Sequence, residues 1–211
     1  MTEAVALSVG GQSVSRETFQ ALRDLESLVR RWNPAINLVS KNTVPQLWDR
    51  HIVDSAQIFS LCPPGARLWV DLGSGGGFPG LVVAILAREQ MPDLHVKLVE
   101  SDLRKSTFLR QAAYSLGLSV TVATDRIETL TPMGADVLSA RALAALPSLV
   151  EYAAIHMKAD GVAIFPKGAR HQEELSEARR SWTFDVDSRP SLSDGEAAIL
   201  VIRNIHRVRN D

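Results

Sequence analysis

The sequence predicts an α/β protein: a parallel, doubly wound sheet of Rossmann type with an N-terminal helical extension. Two observations carry this. From Arg67 onward, short apolar runs alternate with longer segments of helical period, the pattern of consecutive strand–helix units. Within the first unit, Leu68-Trp69-Val70 leads into Asp71-Leu72-Gly73-Ser74-Gly75-Gly76-Gly77-Phe78-Pro79-Gly80, and Leu81–Ala87 leads out, which reads as strand, glycine turn and helix.

Taken in order, residues 1–14 carry no clear period and are expected to fray. From Ser15 a helix is expected, because Phe19, Leu22, Leu25, Leu28, Val29 and Trp32 recur at spacings of three and four. Asn33-Pro34 is expected to end it. A second helical stretch runs from about Val44 to Leu61, and Cys62-Pro63-Pro64-Gly65 breaks the chain. That break divides it into an extension, 1–64, and a sheet domain, 65–211. The strands expected are Leu68–Asp71, Leu94–Glu100, Leu118–Ala123, Asp136–Ser139, Val162–Phe165, a weak one at Trp182–Val186, and Ala197–Arg203. Helices are expected over Gly80–Arg88, from Leu103 to Leu116, over Leu146–Met157 and over Arg170–Arg180.

At 211 residues, 45% hydrophobic and 22% charged, the chain has the size of one α/β domain with an extension. A net charge of −1 excludes a bulk polycation, so any nucleic-acid surface is a local patch. No apolar run reaches the roughly 18 residues of a membrane span. A single cysteine, Cys62, excludes an internal disulfide and a Cys-rich zinc site, and no metal is expected. Residues 1–11 lack the pattern of a secretory signal, so a cytoplasmic location is the default.

Five glycines stand between Gly73 and Gly80, where they bring backbone close to a ligand, and the N-terminus of the following helix is expected to face it. Two cofactors compete for the site. Gly75-x-Gly77-x-x-Gly80, with Glu100 23 residues beyond Gly77, fits the dinucleotide fingerprint and so permits an NAD(P)-dependent oxidoreductase. No Ser-Tyr-Lys or His-Asp catalytic set accompanies it. Asp71 points elsewhere: its carboxylate repels a pyrophosphate but attracts the ammonium and sulfonium of S-adenosylmethionine. Asp-x-Gly-x-Gly-x-Gly resembles motif I of the class I methyltransferases. A noncatalytic S-adenosylmethionine-binding RNA module is a third reading.

In a doubly wound sheet, ligands bind at the carboxyl ends of the strands. Asp71 and the glycines end the first strand, Glu100 the second, and Asp125-Arg126-Ile127-Glu128 follows the third. Ser139-Ala140-Arg141 ends the fourth and Pro166-Lys167-Gly168 the fifth. Glu100 can accept ribose hydroxyls, and the turn at Ile127-Glu128 can face the adenine edge. Phe78 can cover the methionine part, and Arg141 and Lys167 face the substrate side.

An ordered series runs along the chain: Trp32-Asn33, Asn37-Leu38, Ser40, Arg50-His51, Asp54-Ser55, the Asp71–Gly80 loop, Val99-Glu100-Ser101, Arg104-Lys105, Phe108-Leu109, Arg126-Ile127-Glu128, Ser139-Ala140-Arg141-Ala142 and Lys167-Gly168. It resembles the bacterial small-subunit ribosomal RNA guanine-N7 methyltransferases, once called glucose-inhibited division protein B, over roughly residues 16–203. The resemblance implies a class I methyltransferase that carries a methyl group from S-adenosylmethionine to N7 of one guanine in the 530 loop of 16S rRNA, acting on rRNA or the small ribosomal subunit.

By position, the resemblance makes Gly73, Phe78, Ile127, Glu128 and Arg141 cofactor contacts, joining Asp71, Gly75, Gly77 and Glu100. Arg50, His51, Arg104, Lys105 and Lys167 are the residues expected to meet RNA, with Arg16, Arg23, Arg30, Arg31 and Lys41 beside them. N7 carries a lone pair and no proton, so no general base is expected. Arg141 and Lys167 are expected to position the base, and His51 to be structural or RNA-facing. The sequence departs from the family where Arg104-Lys105 replaces two lysines and where Pro166 precedes Lys167-Gly168.

Overall fold

The computed structural model describes residues 7–208. A seven-stranded sheet has the order β5-β4-β3-β6-β7-β9-β8. Its strands are β3 (Leu68–Leu72), β4 (His95–Val99), β5 (Val120–Ala123), β6 (Ala135–Ala140), β7 (Met157–Lys167), β8 (Trp182–Pro190) and β9 (Ala198–Arg207). Strands β5 to β7 are parallel, as expected. The expectation of a wholly parallel sheet fails at the far edge, where β9 runs antiparallel to both β7 and β8. The physical reason lies in the connections. The β8–β9 link holds no helix, so it returns as a hairpin, and only a crossover can keep neighbours parallel.

The chain runs outward from β3 through β4 to β5, then crosses back to β6 on the other side of β3. The switch point therefore lies between β3 and β6, where an open sheet leaves a crevice. The helices α3 (Gly80–Gln90), α4 (Leu103–Ser115), α5 (Leu146–His156) and α6 (His171–Ala178) flank the sheet. Trp69, Val70 and Leu72 of β3 are fully buried, as the central strand of a two-faced sheet requires.

The N-terminal segment is more ordered than its sequence suggested. Of the residues expected to fray, 1–6 lie outside the described residues, and in place of fraying the rest form a hairpin of β1 (Leu7–Val9) and β2 (Gln12–Val14). Its two-residue loop, Gly10-Gly11, has φ of 58° and 81°, the left-handed pair that a tight hairpin requires. Helix α1 (Arg16–Ile36) starts at Ser15, whose side chain accepts from Thr18 N. It runs past Pro34 and stops at Asn37 in the left-handed conformation. The expected stop at Asn33-Pro34 is overridden by tertiary contacts: Asn33 Oδ1 accepts from the buried Val39 N at 2.8 Å, and Trp32 packs edge-on to Phe108 of α4.

The expected helix from Val44 to Leu61 is instead composite. It comprises a 3₁₀ segment (Lys41–Gln46) holding Pro45, a π segment (Trp48–Val53), one α turn, α2 (Asp54–Ala56), and a second 3₁₀ segment (Gln57–Leu61). Leu22, Leu25, Val29, Leu47 and Ile52 join Leu81, Ile85 and Phe108 in one core cluster on one face of the sheet. Among the described residues, no helix is long and apolar enough to cross a membrane.

Candidate active site

The glycine loop is held from below. Asp71 is fully buried, and its Oδ1 accepts from Ser139 Oγ at 2.7 Å, while its Oδ2 accepts from Gly80 N at 3.2 Å. Trp69 Nε1 donates to the same Ser139 oxygen at 2.8 Å. Burial pushes the Asp71 carboxyl up to about 6, against the hydrogen bonds from Ser139, Ser74 and Gly80 and the Arg141 charge, which pull it down. The expected free helix N-terminus is thus taken by an internal carboxylate, which complements the positive end of α3. Asp71 does not line the cleft. Neither do Gly77 and Gly80: a Cβ at Gly77 would strike Leu81, and one at Gly80 would lie 2.7 Å from Asp71 Oδ2. These two glycines serve packing beneath the loop, whereas Gly73, Gly75 and Gly76 face the ligand space.

That space is a cleft of about 580 Å³ at the switch point. Gly73–Gly76, Phe78, Glu100, Lys105, Asp125–Glu128, Arg141 and Leu143 line it. The Glu100 oxygens accept from Gly75 N at 2.9 Å and Asp102 N at 2.8 Å. A carboxylate has about four lone-pair sites, so two remain for ligand hydroxyls. Glu128 accepts from the Tyr152 hydroxyl at 2.5 Å, which holds its carboxyl below the usual range and raises the Tyr152 phenol. Leu38, Val39 and Ser40 close the cleft from the connector after α1.

A second pocket of about 320 Å³ adjoins the first. The two share Thr43, His51, Arg141 and Ala142 as a common wall. Arg141 is largely enclosed there. Its Nη1 donates to Arg50 O at 3.0 Å and faces Asp54 Oδ2 at 3.4 Å, and its Nη2 bonds to His51 Nδ1. Its guanidinium carbon sits 5.5 Å from the centre of the Phe78 ring. Burial lowers the Arg141 pKa, and Asp54 and Asp71 raise it again. Because Arg141 donates to Nδ1, the His51 proton belongs on Nε2, which lies 2.9 Å from Thr43 Oγ1. Burial, then Arg141 and Arg50, lower the His51 pKa to about 3, so the imidazole is neutral at physiological pH.

Lys167 lines the second pocket with an engaged ammonium: Nζ meets Glu174 Oε2 at 2.5 Å and Ala144 O at 3.2 Å. The structure therefore brings Gly73, Gly75, Phe78, Glu100, Ile127, Glu128 and Arg141 to the cleft, and Arg50, His51, Arg141 and Lys167 to the second pocket. His51 is buried between the two rather than presented outward. Arg104 stands exposed, and Lys105 faces the cleft. Arg23 lies 3.5 Å over the Trp48 ring, and Arg30 donates to Val44 O and pairs with Glu26 at 2.7 Å, so both are engaged within the chain.

A sequence model of the family described as rRNA small subunit methyltransferase G matches residues 18–200. The chain belongs to this family. A protein of Ruegeria pomeroyi named ribosomal RNA small subunit methyltransferase G is 52% identical over 196 residues, covering 93% of this chain and 96% of its own. One of the same name from Cereibacter sphaeroides is 49% identical over 195 residues, covering 92% and 95%. Among solved structures, a TehB-like SAM-dependent methyltransferase from Corynebacterium glutamicum superposes with a TM-score of 0.57 at 15% identity, covering 86% of this chain and 98% of that one. A SAM-dependent methyltransferase from Aquifex aeolicus gives 0.55 at 14% identity, covering 75% and 92%. These two show the fold, that of the class I methyltransferases.

The chain is accordingly a methyltransferase, and its cofactor is S-adenosylmethionine. The cleft fits that molecule better than a dinucleotide, because a pyrophosphate needs the helix N-terminus that Asp71 already takes. Several lining residues had no role assigned from sequence: Thr43, Tyr152, Leu143, Asp54, Glu174 and the Ser191–Asp194 loop. Asp54 alone had a signal, its place in the family-like series beside Arg50-His51.

Proposed function

We propose that this chain transfers the methyl group of S-adenosylmethionine to N7 of one guanine in the 530 loop of 16S rRNA. The observation that carries the reading is the shared wall. A cleft suited to the methyl donor abuts a smaller, charged pocket across His51 and Arg141. The target base enters the second pocket with N7 toward that wall.

When bound, S-adenosylmethionine supplies an electrophilic methyl group on sulfur. Gly73–Gly76, Phe78, Glu100 and Ile127–Glu128 would hold that donor, and transfer to the N7 lone pair would leave a thioether and a cationic purine with no proton to move. The residues need only align and desolvate, and alignment is worth ~7–11 kcal/mol in favourable cases. His51 suits this chemistry: Nδ1 accepts from Arg141, Nε2 is engaged with Thr43, and its pKa of about 3 makes it a poor base. Arg141 lends donors without a full unbalanced charge, because Asp54 lies beside it. Arg16, Arg31, Lys41, Arg50 and Arg104 are exposed and supply a basic approach for the RNA backbone. The N-terminal segment, 1–64, serves as the RNA-facing part. N7 lies in the deep major groove of A-form RNA, so the target base must stand in a loop or be splayed out.

The test is incubation with unmodified small subunits and labelled cofactor, followed by chain cleavage at 7-methylguanine. Label at adenine, at cytosine or in protein would overturn the assignment.

A further inference from the structure

Three carboxylates line the second pocket: Asp54, Glu174 and Asp194. Asp54 has both oxygens engaged, Oδ1 by Gln57 Nε2 at 2.8 Å and Ser193 Oγ at 2.7 Å, and Oδ2 by Arg141. Asp194 is half-exposed on the β8–β9 loop, accepts from Glu196 N and pairs loosely with Arg50 at 3.7 Å. Glu174 differs from both. It rises from α6, is mostly enclosed, and is fixed through one oxygen only: Oε2 accepts from Lys167 Nζ at 2.5 Å and from Leu146 N at 2.8 Å. Among the described residues, Oε1 has no hydrogen-bond partner.

Position adds to this. Arg141 lies on the wall shared with the cofactor cleft, whereas Glu174 and Lys167 line the second pocket alone. Guanine has the matching polarity. Its N7 and O6 accept, and the opposite edge, N1–H and N2–H₂, donates. A base with N7 at the shared wall turns its donor edge away from that wall. Adenine presents an acceptor, N1, at the corresponding place, where a carboxylate repels it.

We propose that Glu174 is the residue that selects guanine, its free oxygen accepting from the N1–H and N2–H₂ edge. The proposal rests on the base occupying the second pocket. Lys167 then acts on the base through Glu174, as a positioning residue. Glu174 also has a part in the rate. Methylation at N7 leaves the purine cationic, and a fixed carboxylate on the far edge offsets charge that grows in the transition state.

The experiment uses small subunits reconstituted with ligated 16S rRNA that carries guanine or inosine at the methylated position. Inosine lacks only the 2-amino group. The full-length protein should methylate inosine about tenfold more slowly in kcat/KM, the lower end of the range for a hydrogen bond to a charged acceptor. Glu174→Ala should lower kcat/KM on guanine about 100-fold and abolish the guanine–inosine difference. A purely structural Glu174 would lower both substrates equally and leave the tenfold difference intact, which overturns the proposal. Glu174→Gln keeps the shape and loses the charge, so it should lower kcat more than it raises KM; an effect confined to KM overturns the rate role. Unchanged S-adenosylmethionine affinity in calorimetry shows that each variant is folded. If the unaltered protein leaves guanine N7 unmodified, the base assignment itself fails, an outcome distinct from an intact inosine difference in Glu174→Ala.

Discussion

On one side of the shared wall, the cofactor cleft is held by backbone. Glu100 accepts from two main-chain N–H groups, Asp71 ties Gly80 N to Ser139, and Ser74 N donates to Val99 O. Its floor is the contiguous loop Gly73–Gly76 with the next strand end at Glu100, and Lys105, Asp125–Glu128, Tyr152 and Arg141 complete the walls. On the other side, the second pocket is held by side chains from five segments. Arg50, His51 and Asp54 come from the connector, Arg141 from beyond β6, Lys167 from β7, Glu174 from α6, and Ser191–Asp194 from the β8–β9 loop. The first construction suits a ligand that is the same for every class I enzyme. The second suits a ligand that differs, because each side chain can change without disturbing the sheet. A site can thus be built on backbone toward one ligand and on side chains toward the other across a single shared wall.

Substitutions on the two sides should therefore fail differently. The largest effect is expected for Asp71→Ala, which strands Ser139 Oγ and Gly80 N in the core. Unfolding free energy should fall by about 3 kcal/mol, read by urea titration, with cofactor affinity falling alongside. Arg141→Ala should lower the unfolding free energy by about 2 kcal/mol in the same assay, because it unpairs Asp54 and leaves Arg50 O and His51 Nδ1 without their donor, and it should lower methylation of small subunits about 100- to 1,000-fold. Full activity would remove Arg141 from the mechanism. Arg141→Lys should recover only part of it, since one ammonium cannot reach Arg50 O, His51 Nδ1 and Asp54 together.

Asp71 beneath the glycine loop and His51 in the shared wall carry opposite pH dependence. The Asp71 carboxyl is raised from 3.8 to about 6 in the fold, so its contribution is full below 3.8 and lost as pH rises through about 6. That difference corresponds to about 3 kcal/mol. His51 is lowered from 6.5 to about 3, so its contribution is present above 6.5 and lost as pH falls through about 3. Between about pH 4 and 6 the slopes oppose. Asp71→Asn should make stability rise more steeply with pH across this window, and His51→Gln should make it fall. Denaturation midpoints at half-unit steps decide it.

Smaller still, Glu100→Gln should weaken S-adenosylmethionine binding about tenfold in calorimetry, since a neutral amide is a poorer acceptor for hydroxyls. Least of all, Arg104→Ala should change stability by less than about 0.5 kcal/mol and lower the salt-dependence slope of subunit binding by about one.

The sequence by itself determined the sheet and the cofactor end. Strand period, the glycines and the acids at the strand ends are local signals, because a turn, a helix start and a strand end are set by neighbouring residues. The Gly10-Gly11 hairpin carries such a signal too, in two glycines between short apolar-flanked runs. Tertiary structure alone decided where Asp71 turns its carboxylate and that α1 runs through Pro34. It also decided that Glu174 stands over the same pocket as Arg141, 33 positions away in the chain. Such pairings depend on crossover geometry and on which buried groups satisfy one another, and no run of adjacent residues encodes either.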